Sequence, residues 1–284
     1  MTTVGDLLID SVAALSKAGV KEARLDARLI IAHALNITPE KVFGYPEKVL
    51  ETGERDYILS LITRRVEREP LALIIGEKEF WSLRFVISPA TLIPRPDSET
   101  LIEAVLAAYP DKKANLRILD LGTGSGCLLL TLLHEYENAT GIGTDFSSEA
   151  LAVARLNGRN LDLSLRAGFV LDDWNDGIAD FGAFDIIISN PPYIPDGEES
   201  ELQPEVALYE PHSALFAGID GLQYYRAILS VLSGLANTGC GIFFEVGINQ
   251  GEAVARMMEK AGMSDITSRS DLAGIKRCVS GKIL

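Results

Sequence analysis

Arg117-Ile118-Leu119-Asp120-Leu121-Gly122-Thr123-Gly124-Ser125-Gly126 is the stretch on which the reading of the fold turns. Its first half is a short, mostly apolar run of the kind that forms a strand buried on both faces. Its second half alternates glycine with small polar residues. Glycine lets the backbone turn sharply and approach a ligand closely, and a helix starting there presents free N–H groups. A G-x-G pattern alone is unspecific, because any tight strand-to-helix turn accommodates it. The dinucleotide fingerprint G-x-G-x-x-G/A fails in both registers, since its last position falls on Cys127 counted from Gly122 and on Leu129 counted from Gly124. No G-x-x-x-x-G-K-S/T run occurs either, which excludes a P-loop for nucleoside triphosphates.

From Arg117 onward, strand and helix patterns alternate. Strands are expected at residues 117–121, 141–145, 165–171, 184–189 and 241–246, and helices at 126–136, 148–160, 222–235 and 250–261. Residues 264–284 read as two strands closing the sheet. Such alternation predicts a doubly wound α/β domain. Residues 4–69 differ: Leu7, Leu8, Val12 and Leu15 recur at helical spacing, and so do Leu25, Leu29 and Ile30. A small bundle of four or five helices is expected there, ended by Pro70, with 71–76 as a linker. Residues 78–88 alternate loosely (Phe80, Leu83, Phe85, Ile87) and predict a hairpin. After them, the prolines of Leu92-Ile93-Pro94-Arg95-Pro96 hold the chain extended, and Asp97 or Ser98 is placed to cap the next helix. The expected organisation is a helical domain over 1–75, a linker with a hairpin over 76–98, and a catalytic domain over 99–284.

The chain has 284 residues, 47% hydrophobic and 23% charged, which is ordinary globular composition. Its net charge of −14 weighs against a long nucleic-acid footprint, because phosphate neutralisation supplies most of that affinity. Cys127, Cys240 and Cys278 are widely separated and odd in number, which suits a reducing cytosol. There is no basic stretch leading into an apolar one at the start, and no apolar run approaches the roughly 18 residues of a membrane span. A cytoplasmic protein without membrane contact is expected. His33, His134 and His212 form no ligand-spaced cluster, so no metal site is expected. His33 reads as a packing residue, and Cys127 as a small buried residue at a helix start.

Asp145 ends the strand after the glycine loop. A carboxylate there can accept hydrogen bonds from both hydroxyls of a ribose, although Asp145-Phe146-Ser147-Ser148-Glu149 also resembles a helix cap. Loop and acid together favour S-adenosylmethionine over a nicotinamide cofactor. Trp174, in the charged run Asp172-Asp173-Trp174, offers a flat apolar partner for an adenine. The competing role is packing beneath its own loop.

The fourth strand ends in Ser189-Asn190-Pro191-Pro192-Tyr193. This carboxyl edge is where open α/β sheets bind ligands. Asn190 precedes a proline and is held extended, while the prolines fix the backbone and leave the Pro191 carbonyl as a stiffly placed acceptor. An amide or arylamine nitrogen is a poor nucleophile because its lone pair is delocalised. Two acceptors, the Asn190 side-chain oxygen and the Pro191 carbonyl, suit the two N–H bonds of such an NH₂ group. They would aim the nitrogen at an electrophilic methyl, and alignment of this kind supplies about 7–11 kcal/mol in favourable cases. Tyr193 can stack on the flat acceptor.

With these residues in view, the chain resembles the release factor glutamine N5-methyltransferases (the HemK/PrmC type), nearly end to end. The resemblance rests on Glu79-Phe80-Trp81, Leu92-Ile93-Pro94-Arg95-Pro96, the glycine loop, Asp173-Trp174 and Ser189-Asn190-Pro191-Pro192-Tyr193-Ile194. It continues through Glu205-Val206, Glu210-Pro211, Gly218-Ile219-Asp220-Gly221-Leu222, Glu245-Val246-Gly247 and Asp271-Leu272-Ala273-Gly274. It implies a seven-stranded S-adenosylmethionine-dependent methyltransferase domain, Rossmann-like, behind a small all-helical N-terminal domain for substrate recognition. It implies Gly122, Thr123, Gly124, Ser125, Gly126, Asp145, Trp174 and Asn190 as cofactor-binding residues. Asn190, Pro191, Pro192 and Tyr193 would bind the substrate, with Asn190, Pro191 and Tyr193 in the catalytic role. The implied acceptor is the glutamine of the Gly-Gly-Gln loop of peptide chain release factors, the implied partners are those factors, and a monomer is expected. Asp172 and Lys276 depart from the pattern, which favours Gly or Ser and an acidic residue at those positions. The rival expectation is a methyltransferase for an adenine or guanine exocyclic amine in nucleic acid. It shares the acceptor segment but calls for a basic surface or a recognition insert, and the sequence shows neither. A second rival, a cofactor-binding fold kept as a regulatory module, fits poorly with intact acceptor residues.

Overall fold

The structure is a computed structural model, and it describes residues 2–174 and 181–284. The chain divides into two compact units, Met1–Glu77 with Leu202–Tyr209, and Lys78–Glu201 with Glu210–Leu284.

The first unit is helical. It contains α1 (Val4–Lys17), α2 (Ala23–Ala34), α3 (Pro39–Gly44), α4 (Thr52–Val66) and α5 (Leu71–Ile75). Thr3 starts α1 through a capping box: its Oγ1 accepts from the Asp6 N–H at 3.2 Å, and the Asp6 carboxylate accepts from the Thr3 N–H at 3.1 Å. Leu7 and Leu15 of α1, Ile30 and Ile31 of α2 and Ile58 of α4 close into one core. Each such burial contributes about 1.5–3 kcal/mol. Two expectations fail here. Pro70 does not end the helical region but precedes α5, because a proline fixes φ near a helical value and its missing N–H is unneeded at a helix start. His33 is exposed in the last turn of α2 rather than packed. The segment Leu202–Tyr209 joins this unit through Glu205, whose carboxylate accepts from Arg68 at 2.6 and 2.8 Å and from Arg65 at 3.0 Å. Arg65 is buried and also donates to Asp26 at 2.7 Å.

The second unit opens with a hairpin, β1 (Glu77–Phe80, its first residue in the helical unit) and β2 (Leu83–Val86), turning through Trp81 and Ser82, both at positive φ. After it come α6 (Glu99–Ala108), β3 (Arg117–Leu121), α7 (Cys127–Glu135), β4 (Thr140–Asp145), α8 (Ser148–Asn160), β5 (Ala167–Leu171) and β6 (Phe184–Ser189). The chain continues through α9 (Pro204–Tyr209, in the helical unit), α10 (Gln223–Val231), β7 (Ala236–Glu245), α11 (Gly251–Lys260), β8 (Met263–Ser270) and β9 (Lys276–Ile283). The sheet order is β5-β4-β3-β6-β7-β9-β8, seven strands, with β9 antiparallel to both neighbours. This is the expected α/β methyltransferase sheet, and its core runs through Leu119, Ile187, Ile242 and Phe244.

Two strand boundaries depart from the sequence reading. β5 starts at Ala167 because Leu163 accepts from the N–H groups of Arg166 and Ala167, leaving Leu165 in a turn and exposed. β7 starts five residues before the expected Gly241, where Ala236-Asn237-Thr238-Gly239 carries no strand-like apolar pattern; the β6–β7 register shifts between Phe184 and Ile186. Ser98 precedes α6 without capping it through its side chain.

Candidate active site

In the parallel part of the sheet, Leu121 of β3 lies opposite Thr144 of β4 on one side and Ser189 of β6 on the other. The chain after β3 and the chain after β6 therefore leave neighbouring strands at one level, at the switch point where α/β sheets open a crevice. The Ser189 hydroxyl fastens the two ends by donating to the Leu121 carbonyl at 2.6 Å. A cavity of about 490 Å³ opens over this edge. Gly122, Thr123, Gly124, Ser125, Asp145, Trp174, Asn190 and Pro192 line it; Gly126, Pro191 and Tyr193 are not part of its wall.

The glycine loop is fixed from below. The N–H groups of Gly122 and Thr123 both donate to the Thr144 carbonyl, at 2.9 and 2.8 Å. The Thr123 hydroxyl donates to Asp120 at 2.7 Å. Gly122, Gly124 and Gly126 all have positive φ, a conformation that strains other residues. Gly126 precedes α7, so the loop runs directly into that helix's N-terminus. Asp120 is fully buried, and burial pushes its carboxyl up to about 7. Cys127 is half-buried on the cavity wall rather than buried as expected; desolvation pushes its thiol up to about 12, so its place at the helix start does not activate it.

Asp145 accepts from the Gly124 N–H at 2.9 Å through one oxygen and from the Ser147 N–H at 2.9 Å through the other. It does not cap α8. Ser147 does, accepting from the Ala150 N–H at 3.1 Å. The Asp145 carboxylate thus stands at the cavity wall with lone pairs to spare. Burial raises its pKa against the opposing pull of those N–H groups.

Trp174 is 9% exposed and belongs to the sheet core, yet it also lines the cavity. Its six-membered ring sits over Gly122, and its edge meets Tyr224 with ring centroids 5.8 Å apart. Its indole N–H is buried without a hydrogen-bond partner among the described residues.

On the acceptor side, the Asn190 amide nitrogen donates to Ser98 Oγ at 3.4 Å, while Oδ1 is buried without a partner. An unpartnered buried acceptor is costly, roughly 1–3 kcal/mol, and is the kind of atom a ligand N–H satisfies. The Tyr193 hydroxyl reaches Glu245 at 3.5 Å. Burial pushes Glu245 up to about 7, with the Ser98 hydroxyl, Arg277 and Tyr193 pulling the other way. Across the cavity, the Leu92-Ile93-Pro94-Arg95 wall is pinned by the buried Glu210, which accepts from the Ile93 N–H at 3.2 Å and pairs with Arg95.

These groups fit a nucleoside cofactor carrying a methyl sulfonium. Asp145 suits a ribose diol, and the unpartnered Ser125 hydroxyl and Trp174 N–H supply further polar partners. Phe146, which follows Asp145, lines the same cavity and is 53% exposed, an unusual state for a phenylalanine. Sequence reasoning passed over it; its place directly after Asp145 was the available signal. Among the described residues no group of three or more His, Cys, Asp or Glu side chains is placed to hold a metal, and no helix is long and apolar enough to cross a membrane.

Residues 6–76 match the PrmC N-terminal domain family, and residues 112–233 match a methyltransferase domain family. A methyltransferase from Pyrococcus furiosus superposes with a TM-score of 0.51 at 17% identity, over 72% of this chain and 91% of that one, a likeness of fold alone. Sheet order, glycine loop and domain match define a methyltransferase of the seven-stranded class. The release factor glutamine methyltransferase of Rhodospirillum rubrum is 40% identical over 97% of this chain and 84% of its own length. That of Cereibacter sphaeroides is also 40% identical, over 98% of each chain. The chain belongs to the release factor glutamine methyltransferase family.

Proposed function

We propose that the protein transfers the methyl group of S-adenosylmethionine to the side-chain amide nitrogen of the glutamine in the Gly-Gly-Gln loop of peptide chain release factors. The observation that carries this reading is the buried, unpartnered Asn190 Oδ1 at the cavity edge beside the glycine loop. When bound, the cofactor supplies an electrophilic methyl on a cationic sulfur. Gly122, Thr123, Gly124, Ser125 and Gly126 form its cradle, Asp145 accepts from its ribose, and Trp174 or Phe146 covers its adenine. Asn190 Oδ1 and the Pro191 carbonyl accept the two N–H bonds of the glutamine amide and orient its nitrogen, while Pro192 stiffens the segment and Tyr193 packs against the amide plane. No acid or base is needed before transfer, and the surplus proton leaves afterwards. The helical unit is assigned to recognition of the protein substrate. The net charge of −14 supports a protein acceptor over nucleic acid. A monomeric, cytoplasmic enzyme accords with this reading.

The test offers labelled cofactor to purified release factors and to bulk RNA and DNA side by side. Label in the release factor alone is expected, and label only in nucleic acid overturns the assignment. Asn190→Ala is expected to abolish transfer with cofactor binding kept; wild-type turnover in that variant removes Asn190 from the mechanism.

A further inference from the structure

The acceptor segment poses a problem of anchorage. Pro191 and Pro192 have no N–H to give, so the chain leaving β6 forgoes two hydrogen bonds at the place where its geometry matters most. Tyr193 is where backbone tethering resumes. Its carbonyl accepts from the Gln250 side-chain amide at 2.8 Å. The same NH₂ group donates to the Gly221 carbonyl at 3.3 Å, and Gln250 Oε1 accepts from the Gly247 N–H at 3.0 Å. One side-chain amide thus ties together the acceptor segment, the Gly218–Gly221 turn and the loop after β7.

The surroundings are shaped to this tie. A β-carbon on Gly221 would stand 2.4 Å from the Tyr193 carbonyl oxygen and 2.6 Å from Gln250 Nε2. One on Gly247 would stand 2.8 Å from Gln250 Oε1 and 3.0 Å from the Tyr193 ring. Both glycines clear space for the same amide. Gln250 also occupies the N-cap position of α11, where Ser, Thr, Asp or Asn would satisfy the helix, yet its side chain makes no cap bond. Helix capping therefore does not account for a glutamine here, whereas the length and two-ended chemistry of its amide match the three loop groups it joins.

We propose that Gln250 is a positioning residue for methyl transfer, fixing the Asn190–Tyr193 segment through the Tyr193 carbonyl. This rests on the reading that the segment holds the acceptor glutamine. A shift of about 1 Å at such a segment can cost on the order of 100-fold in rate. The hydrogen bonds of Gln250 go to Tyr193, Gly221 and Gly247 and to none of Gly122–Gly126, Asp145 or Trp174, so transfer depends on it far more than cofactor affinity does.

The experiment measures transfer to a purified release factor, cofactor affinity by calorimetry, and thermal melting for Gln250→Glu, Gln250→Met and Gly221→Ala. Gln250→Glu keeps shape and the bond from Gly247 but faces two carbonyls without a donor; Gly221→Ala pushes the same Tyr193 carbonyl from the other side. The expected result is a 10- to 100-fold fall in kcat/KM for the release factor in each variant, with the cofactor Kd within about twofold of wild type. In Gln250→Glu/Gly221→Ala the loss is expected to be smaller than the product of the single losses, since both displace one carbonyl. Wild-type kcat/KM in folded Gln250→Glu overturns the inference, as does a cofactor Kd that weakens in step with kcat/KM, or losses that multiply fully. Failure of the wild-type enzyme to methylate the release factor would instead overturn the assignment of the acceptor.

Discussion

The β-carbon that Gly122 lacks would stand 2.9 Å from Cη2 of Trp174, so the glycine loop and the indole above it fit only without a side chain between them. Gly122 also has a φ of +74°. Gly122→Ala is therefore expected to combine backbone strain of about 1–2 kcal/mol with displacement of Trp174 from the cavity wall. Calorimetry should show cofactor Kd raised at least tenfold, and melting a fall of several degrees. An unchanged Kd would mean that the loop does not cradle the cofactor.

Phe146 and Trp174 separate binding from stability. Phe146 is exposed, so Phe146→Ala is expected to weaken cofactor binding about 3- to 10-fold with little change in melting temperature. Trp174 is built into the sheet core, and Trp174→Ala should cost about 3–5 kcal/mol of stability, whatever its effect on binding. Equal melting temperatures in the two variants would contradict the packing described for the indole.

Asp145, the carboxylate proposed for the ribose, also holds the glycine loop. Asp145→Asn keeps the shape but removes the charge that the Gly124 and Ser147 N–H groups face. Hydrogen bonds to a charged partner contribute about 1.5–3 kcal/mol, so cofactor affinity should drop roughly 10- to 100-fold. A Kd equal to wild type by titration would argue against a ribose at Asp145.

Two buried carboxyls make stability depend on pH. Burial pushes both Asp120 and Glu245 up to about 7, above the ordinary carboxyl range. A raised folded pKa stabilises fully below the unfolded value near 4, and that contribution is lost as pH rises through about 7. Arg277 and Asp97 are the charged groups acting on Glu245, and Glu245 in turn raises the pKa of Tyr193, Tyr225, Cys127 and Cys278. Asp120→Asn and Glu245→Gln remove the titration. Their melting temperatures should gain on wild type as pH goes from 5 to 8, by the equivalent of about 1–3 kcal/mol each. A constant difference across that range would show that neither carboxyl titrates there.

The parts of the fold legible in the sequence were those with local causes. β3 and β6 are near-continuous apolar runs and fall within the expected bounds. Asn190 and Gly122 each follow a strand expected from the sequence, which puts both at the carboxyl edge of the sheet; that their strands are neighbours is shown only by the strand order. Partnerships across long separations were not legible. Nothing local in Gln250 points to Tyr193, or in Ser98 to Asn190, because each looks like an ordinary residue at a helix start. Leu202–Tyr209 has no local pattern assigning it to the helical unit; distant partners do so, Arg65 and Arg68 for Glu205 and the Glu67 carbonyl for the Tyr209 hydroxyl. Pro70 misled because a proline both closes and opens helices, and the deciding geometry is that of its neighbours.

The Glu205 carboxylate meets Arg65 from 140 positions further along the chain. Synthesis runs from the N-terminus, so the five helices that precede Glu77 leave the ribosome with the buried Arg65–Asp26 pair short of its last member. That member arrives only after the glycine loop, Asp145 and Asn190 have been made. The first-made unit is thus completed only after β6 has been made, and a chain that stops before residue 205 leaves Arg68 without its carboxylate partner and Arg65 with Asp26 alone.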